Sequence, residues 1–280
     1  MSNRQIIVSE LPKDHLETRH FALQEAPMPT PSDGEVLLRV ILMSIDAANR
    51  AWMWGESYRA AVKAGDPMPT YAICEVVESK SPRLAPGDIV ACEATWSEYI
   101  TERAHKVQKL PRMKPLSHLI SVYGIAGKTA FHGLIGVGKP MAGETVLVSA
   151  AAGSVGGYVG QIAKALGCRV VGVAGGPEKC AWVVKELGFD ACVDYRDPGF
   201  FKALKKACPT GVDVYFDNVG GLVLETALFM MNERGRVVCC GAISQYDSEA
   251  AVHPRNLPGL VVVKRLRMEG FIVMDFAQQD

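Results

Sequence analysis

Behind the apolar run Thr145–Ala150 stands a turn of small residues, Ala151-Ala152-Gly153-Ser154-Val155-Gly156, and a segment of helical periodicity follows it to Gly167. Gly153 and Gly156 hold the second and third places of a G-x-G-x-x-G spacing, and Ala151 stands in the first. A small first residue permits a tight strand-to-helix turn. The second lets backbone N–H groups approach a pyrophosphate, and the third lets the helix pack closely on its sheet. The turn from Ala151 through Ser154 and Val155 to Gly156 would then place the positive end of a helix against phosphates. A purely structural loop uses the same small residues. The apolar strand before the turn, the amphipathic helix after it and a second strand at the expected distance favour a dinucleotide site.

Such sites distinguish NAD from NADP at the end of the second strand, where an acidic residue accepts hydrogen bonds from the ribose hydroxyls. Here the segment RVVGVAGG ends in Gly175 and Gly176, and the first charges beyond it are Glu178 and Lys179 on the next helix. A lysine neutralises a 2′-phosphate, whereas an aspartate repels it. The spacing predicts NADPH as the cofactor; the competing reading of Lys179 is a solvated helix residue.

Further chemistry is sparse. No Cys-x-x-Cys pair or paired histidine spacing suggests a metal, and no G-x-S-x-G suggests a hydrolase; Ser149 and Ser154 are read as parts of the phosphate turn. Without a metal, the reaction must come from the cofactor's hydride. An acceptor of that hydride gains negative charge that hydrogen-bond donors must hold. Tyr246, in GAISQY after the fifth predicted strand, is the candidate substrate-side hydroxyl, with an exposed loop tyrosine as the competing reading. Asn49, Arg50 and Tyr58 are substrate-side candidates from the first half, Arg50 serving equally well as a structural ion-pair partner.

Two kinds of element must position these groups. The first 110 or so residues carry GEVLLRVILMSID, TYAICEVVESK and GDIVACEATWSEYITER as strands between the turn signals PTPSDG, AGDPMPT and RLAPGD. Beyond them, apolar strands alternate with helices: strands at 145–150, 169–175, 191–195, 212–219, 236–242 and 266–273, helices at 155–167, 177–187, 198–207 and 221–232. The prediction is an α/β fold: a doubly wound parallel Rossmann sheet over 116–280, preceded by a strand-rich, barrel-like domain over 1–115.

At 280 residues and 49% hydrophobic content the chain can bury a core of its own. Thirty basic and thirty acidic residues cancel, so no net field draws it to nucleic acid or a membrane surface. No stretch reaches the roughly 18 apolar residues of a membrane span. The polar start MSNRQIIVSELPKDH and eight scattered cysteines predict a cytoplasmic protein with reduced thiols.

These residues resemble the medium-chain dehydrogenase/reductases, in particular the zinc-independent branch of prostaglandin reductases, leukotriene B4 dehydrogenases and NADPH-dependent curcumin reductases. The likeness is carried by MSIDAANR (43–50), VVESKSPRLAPGDIV (76–90), WSEY (96–99), GIAGKTAFHGL (124–134), VSAAAGSVGGYVGQIAK (148–164), GGPEKC (175–180), Asp194-Tyr195-Arg196, FDNVGG (216–221), GRVVCCGAISQY (235–246) and Phe271-Ile272-Val273. It implies a GroES-like first domain. It also implies that Gly176 belongs to the cofactor site, that Lys179 and Tyr195 lie at the adenosine 2′-phosphate, Asn218 near the ribose, and Cys240, Gly241, Ala242, Ile243 and 271–273 along the nicotinamide. The branch's Asp-Pro after the second strand is here Asp46-Ala47. The cysteine in that turn, the Gly-His-Glu near residue 70 and the four-cysteine lobe of zinc-dependent members are all missing. The resemblance also implies a C-terminal return to the first domain, which a sequence ending at Asp280 is expected to lack.

The function so implied is NADPH-dependent reduction of the carbon–carbon double bond of α,β-unsaturated ketones or aldehydes, by a homodimer paired through LRMEGFIV. A quinone reductase or alcohol dehydrogenase on the same frame, and an NADPH-binding redox sensor without turnover, are the alternatives.

Overall fold

The computed structural model describes residues 2–55, 59–246 and 257–276. The chain forms two compact units, Met1–Ile120 and Ser121–Asp280.

In the first unit, β1 (Ser2–Val8) and β2 (Phe21–Pro27) form an antiparallel pair that the sequence reading did not anticipate. A second, five-stranded sheet contains β3 (Glu35–Met43), β4 (Pro69–Ser79), β5 (Ile89–Thr95), β6 (Tyr99–Arg103) and β7 (Gln108–Lys109), in the order β6-β3-β4-β5-β7. Alternate residues of three strands, Val36 and Leu38, Cys74 and Val76, Val90 and Cys92, fill one core, as a half-buried sheet requires. The short helix α1 (Ala47–Trp52) leaves β3. The run 87–103, read as one strand, is two: Ser97 N donates to Thr95 O at 2.7 Å in a tight bend. The chain then pairs with β3 rather than β4.

In the second unit the helix α2 (Ile125–Phe131) continues as a π-helix over His132–Gly138. There follow β8 (Thr145–Ser149), α3 (Ser154–Ala165), β9 (Arg169–Ala174), α4 (Pro177–Leu187), β10 (Ala191–Asp194), α5 (Phe200–Ala207), β11 (Val212–Asp217), α6 (Gly221–Met230), β12 (Met231–Cys239), α7 (Leu257–Lys264) and β13 (Arg267–Gly270). All six strands are parallel, in the order β10-β9-β8-β11-β12-β13. Both faces are covered. Leu147, Val171, Tyr215 and Val237 face one core with α5 and α6, while Val146, Val148, Val170, Val214, Phe216 and Val238 face the other. Burial on both sides explains why these strands read as continuous apolar runs. The winding reverses between β8 and β11, and the crevice at their carboxyl ends is where such sheets bind ligands.

Several boundaries move. α6 stops at Met230, and β12 starts at Met231, with residues 232–235 looping out before the unbroken ladder from Arg236. β13 ends at Gly270 rather than continuing to Val273, because Phe271 turns inward onto Phe216 and Phe276. α7 and the helix from Ile125 complete the unit without having been placed by periodicity. Across one end of the sheet, Arg236 donates to Gly138 O (3.1 Å), Lys139 O (3.0 Å) and both oxygens of Glu144 (2.9 and 2.5 Å).

Candidate functional site

The turn between β8 and α3 begins with Ala150 in the left-handed region at φ 49°, a conformation that a non-glycine residue adopts only where its surroundings impose it. Ala151 N donates to Val173 O at 3.0 Å, and Gly153 N returns to Ala150 O at 2.8 Å. Gly153 begins α3 without a side-chain cap, which leaves the amides of Ser154, Val155 and Gly156 presented outward. A Cβ on Gly156 would stand 2.3 Å from Ala150 O, so only glycine lets the helix start this close to the strand. Gly160 shares that duty: a Cβ there would come 1.8 Å from the Phe189 ring. The sequence reading missed Gly160, although its place four residues beyond Gly156 on one helix face is a legible signal.

At the end of β9, Gly176 (φ 96°) leads into α4, and Lys179 stands exposed on its first turn. Tyr195 follows β10, 42% exposed, with its ring over Gly175, where a Cβ would lie 3.0 Å from Cε1. The carboxylate nearest this corner is Asp194, and it is engaged: Gly176 N and Arg196 N both donate to its Oδ1 at 2.9 Å. Those backbone bonds hold the Asp194 carboxyl below the usual aspartate range. The residues therefore fit a 2′-phosphorylated dinucleotide: open amides, a backbone cradle that a Cβ would fill, and exposed donors with the Asp194 carboxyl turned to the backbone. Asp194 and Arg196 were not assigned a role from sequence.

The crevice beside β11 rests on a buried network. Asp217 Oδ1 accepts from Tyr215 Oη (2.7 Å), Gly220 N (2.9 Å) and Val219 N (3.0 Å). Burial pushes the Asp217 carboxyl upward despite those donors, and it pushes the Tyr215 phenol up as well. Ser149, read from sequence as part of the phosphate turn, instead closes β8 fully buried against β11, where its hydroxyl accepts from Asn218 N at 2.9 Å. Asn218 Nδ2 donates to Ser149 O at 2.8 Å, which fixes its side chain at the mouth of the crevice. A polar pair at the ends of two apolar strands was the available signal.

From the end of β12, Cys240 N and Gly241 N donate to Asp217 O at 2.9 and 3.1 Å, and Ile243 N donates to Asn218 O at 3.3 Å. Burial raises the Cys240 thiol to about 12, out of thiolate chemistry. Ala242 is half-buried and Ile243 exposed. Tyr246 folds back over this loop, its Oη 3.5 Å from a Cβ position on Gly241. Tyr246, Gly241 and Asn218 are thus one cluster. Phe271 sits in the slot that Gly133 leaves open in the π-helix, with Ile272 and Val273 half-buried behind it.

In the first unit, Asn49 and Arg50 are buried at 7% exposure each. Asn49 Oδ1 accepts from Asp46 N (2.7 Å) and its Nδ2 donates to Pro69 O (2.9 Å), so its amide ties the head of α1 to β4. Arg50 donates to Asp14 O at 2.7 Å and lies 5.0 Å from the Trp54 ring centre. Tyr58 lies outside the described residues. Among the described residues no group of three or more His, Cys, Asp or Glu side chains is placed to hold a metal ion, and no helix is long and apolar enough to cross a membrane.

Residues 4–110 match a family model described as the N-terminal domain of oxidoreductase, and residues 154–280 one described as zinc-binding dehydrogenase. An NADPH-dependent curcumin reductase of Escherichia coli is 40% identical over 277 residues, covering 97% of this chain and 80% of that protein. Prostaglandin reductase 1 of Bos taurus is 40% identical over 258 residues, covering 90% of this chain and 76% of that protein. An NADP(+)-dependent 2-alkenal reductase of Nicotiana tabacum is 38% identical over 286 residues, covering 99% of this chain and 82% of that protein. Among solved structures, CurA of Vibrio vulnificus in complex with NADPH superposes with TM-score 0.93 at 35% identity, covering 99% of this chain and 84% of that one.

Proposed function

Because the chain belongs to the medium-chain dehydrogenase/reductases, in their zinc-independent reductase branch, we propose that it uses NADPH to reduce the carbon–carbon double bond of α,β-unsaturated ketones or aldehydes. One observation carries the reading: likeness to reductases of that chemistry runs the length of the chain, and the phosphate turn they need is built here around Gly153 and Gly156.

NADPH when bound supplies a hydride to the β-carbon of the enone. The chain's own residues prepare that transfer. The amides of Ser154, Val155 and Gly156 take the pyrophosphate at the positive end of α3. Lys179 and Tyr195 take the 2′-phosphate, and Asn218, fixed by Ser149, takes the ribose. Cys240 through Ile243 and Phe271 through Val273 line the nicotinamide. Tyr246, beside Gly241, holds the carbonyl oxygen as it gains charge or returns a proton to the α-carbon. We read the first unit as the substrate-side domain, in which Asn49 and Arg50 hold α1 in place.

We further read the protein as a cytoplasmic homodimer whose copies pair along β13, an edge strand bonded on one side only among the described residues. The deciding experiment is an NADPH-oxidation screen over enones, enals and quinones. Turnover of enones and enals is expected. Turnover of quinones alone would reassign the reaction, and tight NADPH binding with no acceptor reduced would make the protein a cofactor sensor.

A further inference from the structure

We propose that Arg196 is a second cation for the cofactor's 2′-phosphate and sets NADPH preference together with Lys179; the proposal rests on the NADPH reading above. Its guanidinium lies across the Gly175 bend, where a Cβ would come 3.1 Å from Nε and 3.2 Å from Cζ. It stands 5.7 Å from the Tyr195 ring centre, so phenol and guanidinium border the same corner.

That position has an electrostatic consequence. Arg4, Arg19, Arg39, Arg236 and Arg265 each meet a carboxylate. Arg196 is exposed and, among the described residues, pairs with none. Asp194, next to it in sequence, spends Oδ1 on the backbone amides of Gly176 and Arg196 instead of on the guanidinium. The result is an exposed guanidinium beside the Asp194 carboxylate but in no ion pair with it. A guanidinium offers a planar fork that matches two phosphate oxygens, which a lysine cannot do. Lys179 approaches from the first turn of α4 and Arg196 from the end of β10, so the two flank the Gly175-Gly176 bend from different elements.

The test uses the full chain and two pairs of probes, NADPH against NADH and 2′,5′-ADP against 5′-AMP, titrated calorimetrically. The second pair carries no nicotinamide and needs no turnover. Arg196→Leu is expected to weaken NADPH and 2′,5′-ADP by about ten- to a hundred-fold, the scale of a lost charge-assisted pair, while NADH and 5′-AMP stay within about twofold. Arg196→Lys should recover part of the loss, and added salt should weaken 2′,5′-ADP less in Arg196→Leu than in the unmodified protein. If Arg196→Leu binds 2′,5′-ADP as the unmodified protein does while Lys179→Ala does not, the proposal falls and the NADPH reading stands. Equal affinity of the unmodified protein for NADPH and NADH would instead remove the reading beneath it. Equal weakening of all four probes by Arg196→Leu would mark the residue as structural and overturn the proposal.

Discussion

The carbonyl oxygen of Ala150 stands 2.3 Å from the place a Cβ on Gly156 would occupy. Neither partner can retreat: the oxygen belongs to backbone held at φ 49°, and Gly156 is in the first turn of a helix packed on the sheet. Gly156→Ala is expected to destabilise the protein by about 2 to 3 kcal/mol, the scale of overpacking, and to cut NADPH affinity together with it. Thermal melting with and without NADPH measures both, and an unshifted melting temperature would refute the close approach.

Lys179 is the cation that sequence alone points to for the 2′-phosphate. Lys179→Ala should weaken NADPH by about ten- to a hundred-fold and leave NADH nearly unchanged, because the lost bond is charge-assisted and specific to the phosphate. Parallel titrations of both cofactors decide it.

Tyr246 makes the prediction about chemistry. Phenylalanine keeps the ring but cannot donate to a developing enolate, so Tyr246→Phe is expected to lower enone turnover by roughly ten- to a hundred-fold with NADPH affinity retained. Turnover at the unmodified rate would move the proton source to the cofactor ribose or to water.

Glu144 yields a pH dependence. Burial alone would raise its carboxyl, but the hydrogen bonds and charge of Arg236 hold it below the ordinary glutamate value of 4.5. Its contribution to stability is therefore present above pH 4.5 and is lost as pH falls through the lower folded value. Glu144→Gln should cost about 1.5 to 3 kcal/mol at neutral pH and flatten the acid limb of the stability profile, read by urea melts at stepped pH. An acid limb as steep as that of the unmodified protein would count against the pair.

Zinc should be dispensable. Asp46 occupies the turn in which zinc-dependent members carry a cysteine, and Ser44 Oγ donates to it at 2.5 Å. Elemental analysis is expected to find no stoichiometric zinc, and chelators should leave turnover intact.

Sequence by itself determined the second unit's plan and the small-residue turn after β8. A parallel sheet buried on both faces forces unbroken apolar runs, and a phosphate turn forces small residues at set spacing, so both constraints are local and legible. The place of Lys179 on the first turn of α4, after a strand end without an acid, is legible in the same way. Tertiary structure decided whatever depends on a partner distant in the chain. Ser149 looks like a turn residue until Asn218, 69 positions later, claims its hydroxyl and carbonyl. Asp194 carried no role in the sequence, yet Gly176 N, 18 positions earlier, donates to its Oδ1 and turns the carboxyl to the backbone. The end of β13 was likewise settled by Phe271, which leaves the strand to fill the slot over Gly133. Propensity and periodicity register only near neighbours, whereas these outcomes are set by which groups the sheet order brings within hydrogen-bonding or packing distance.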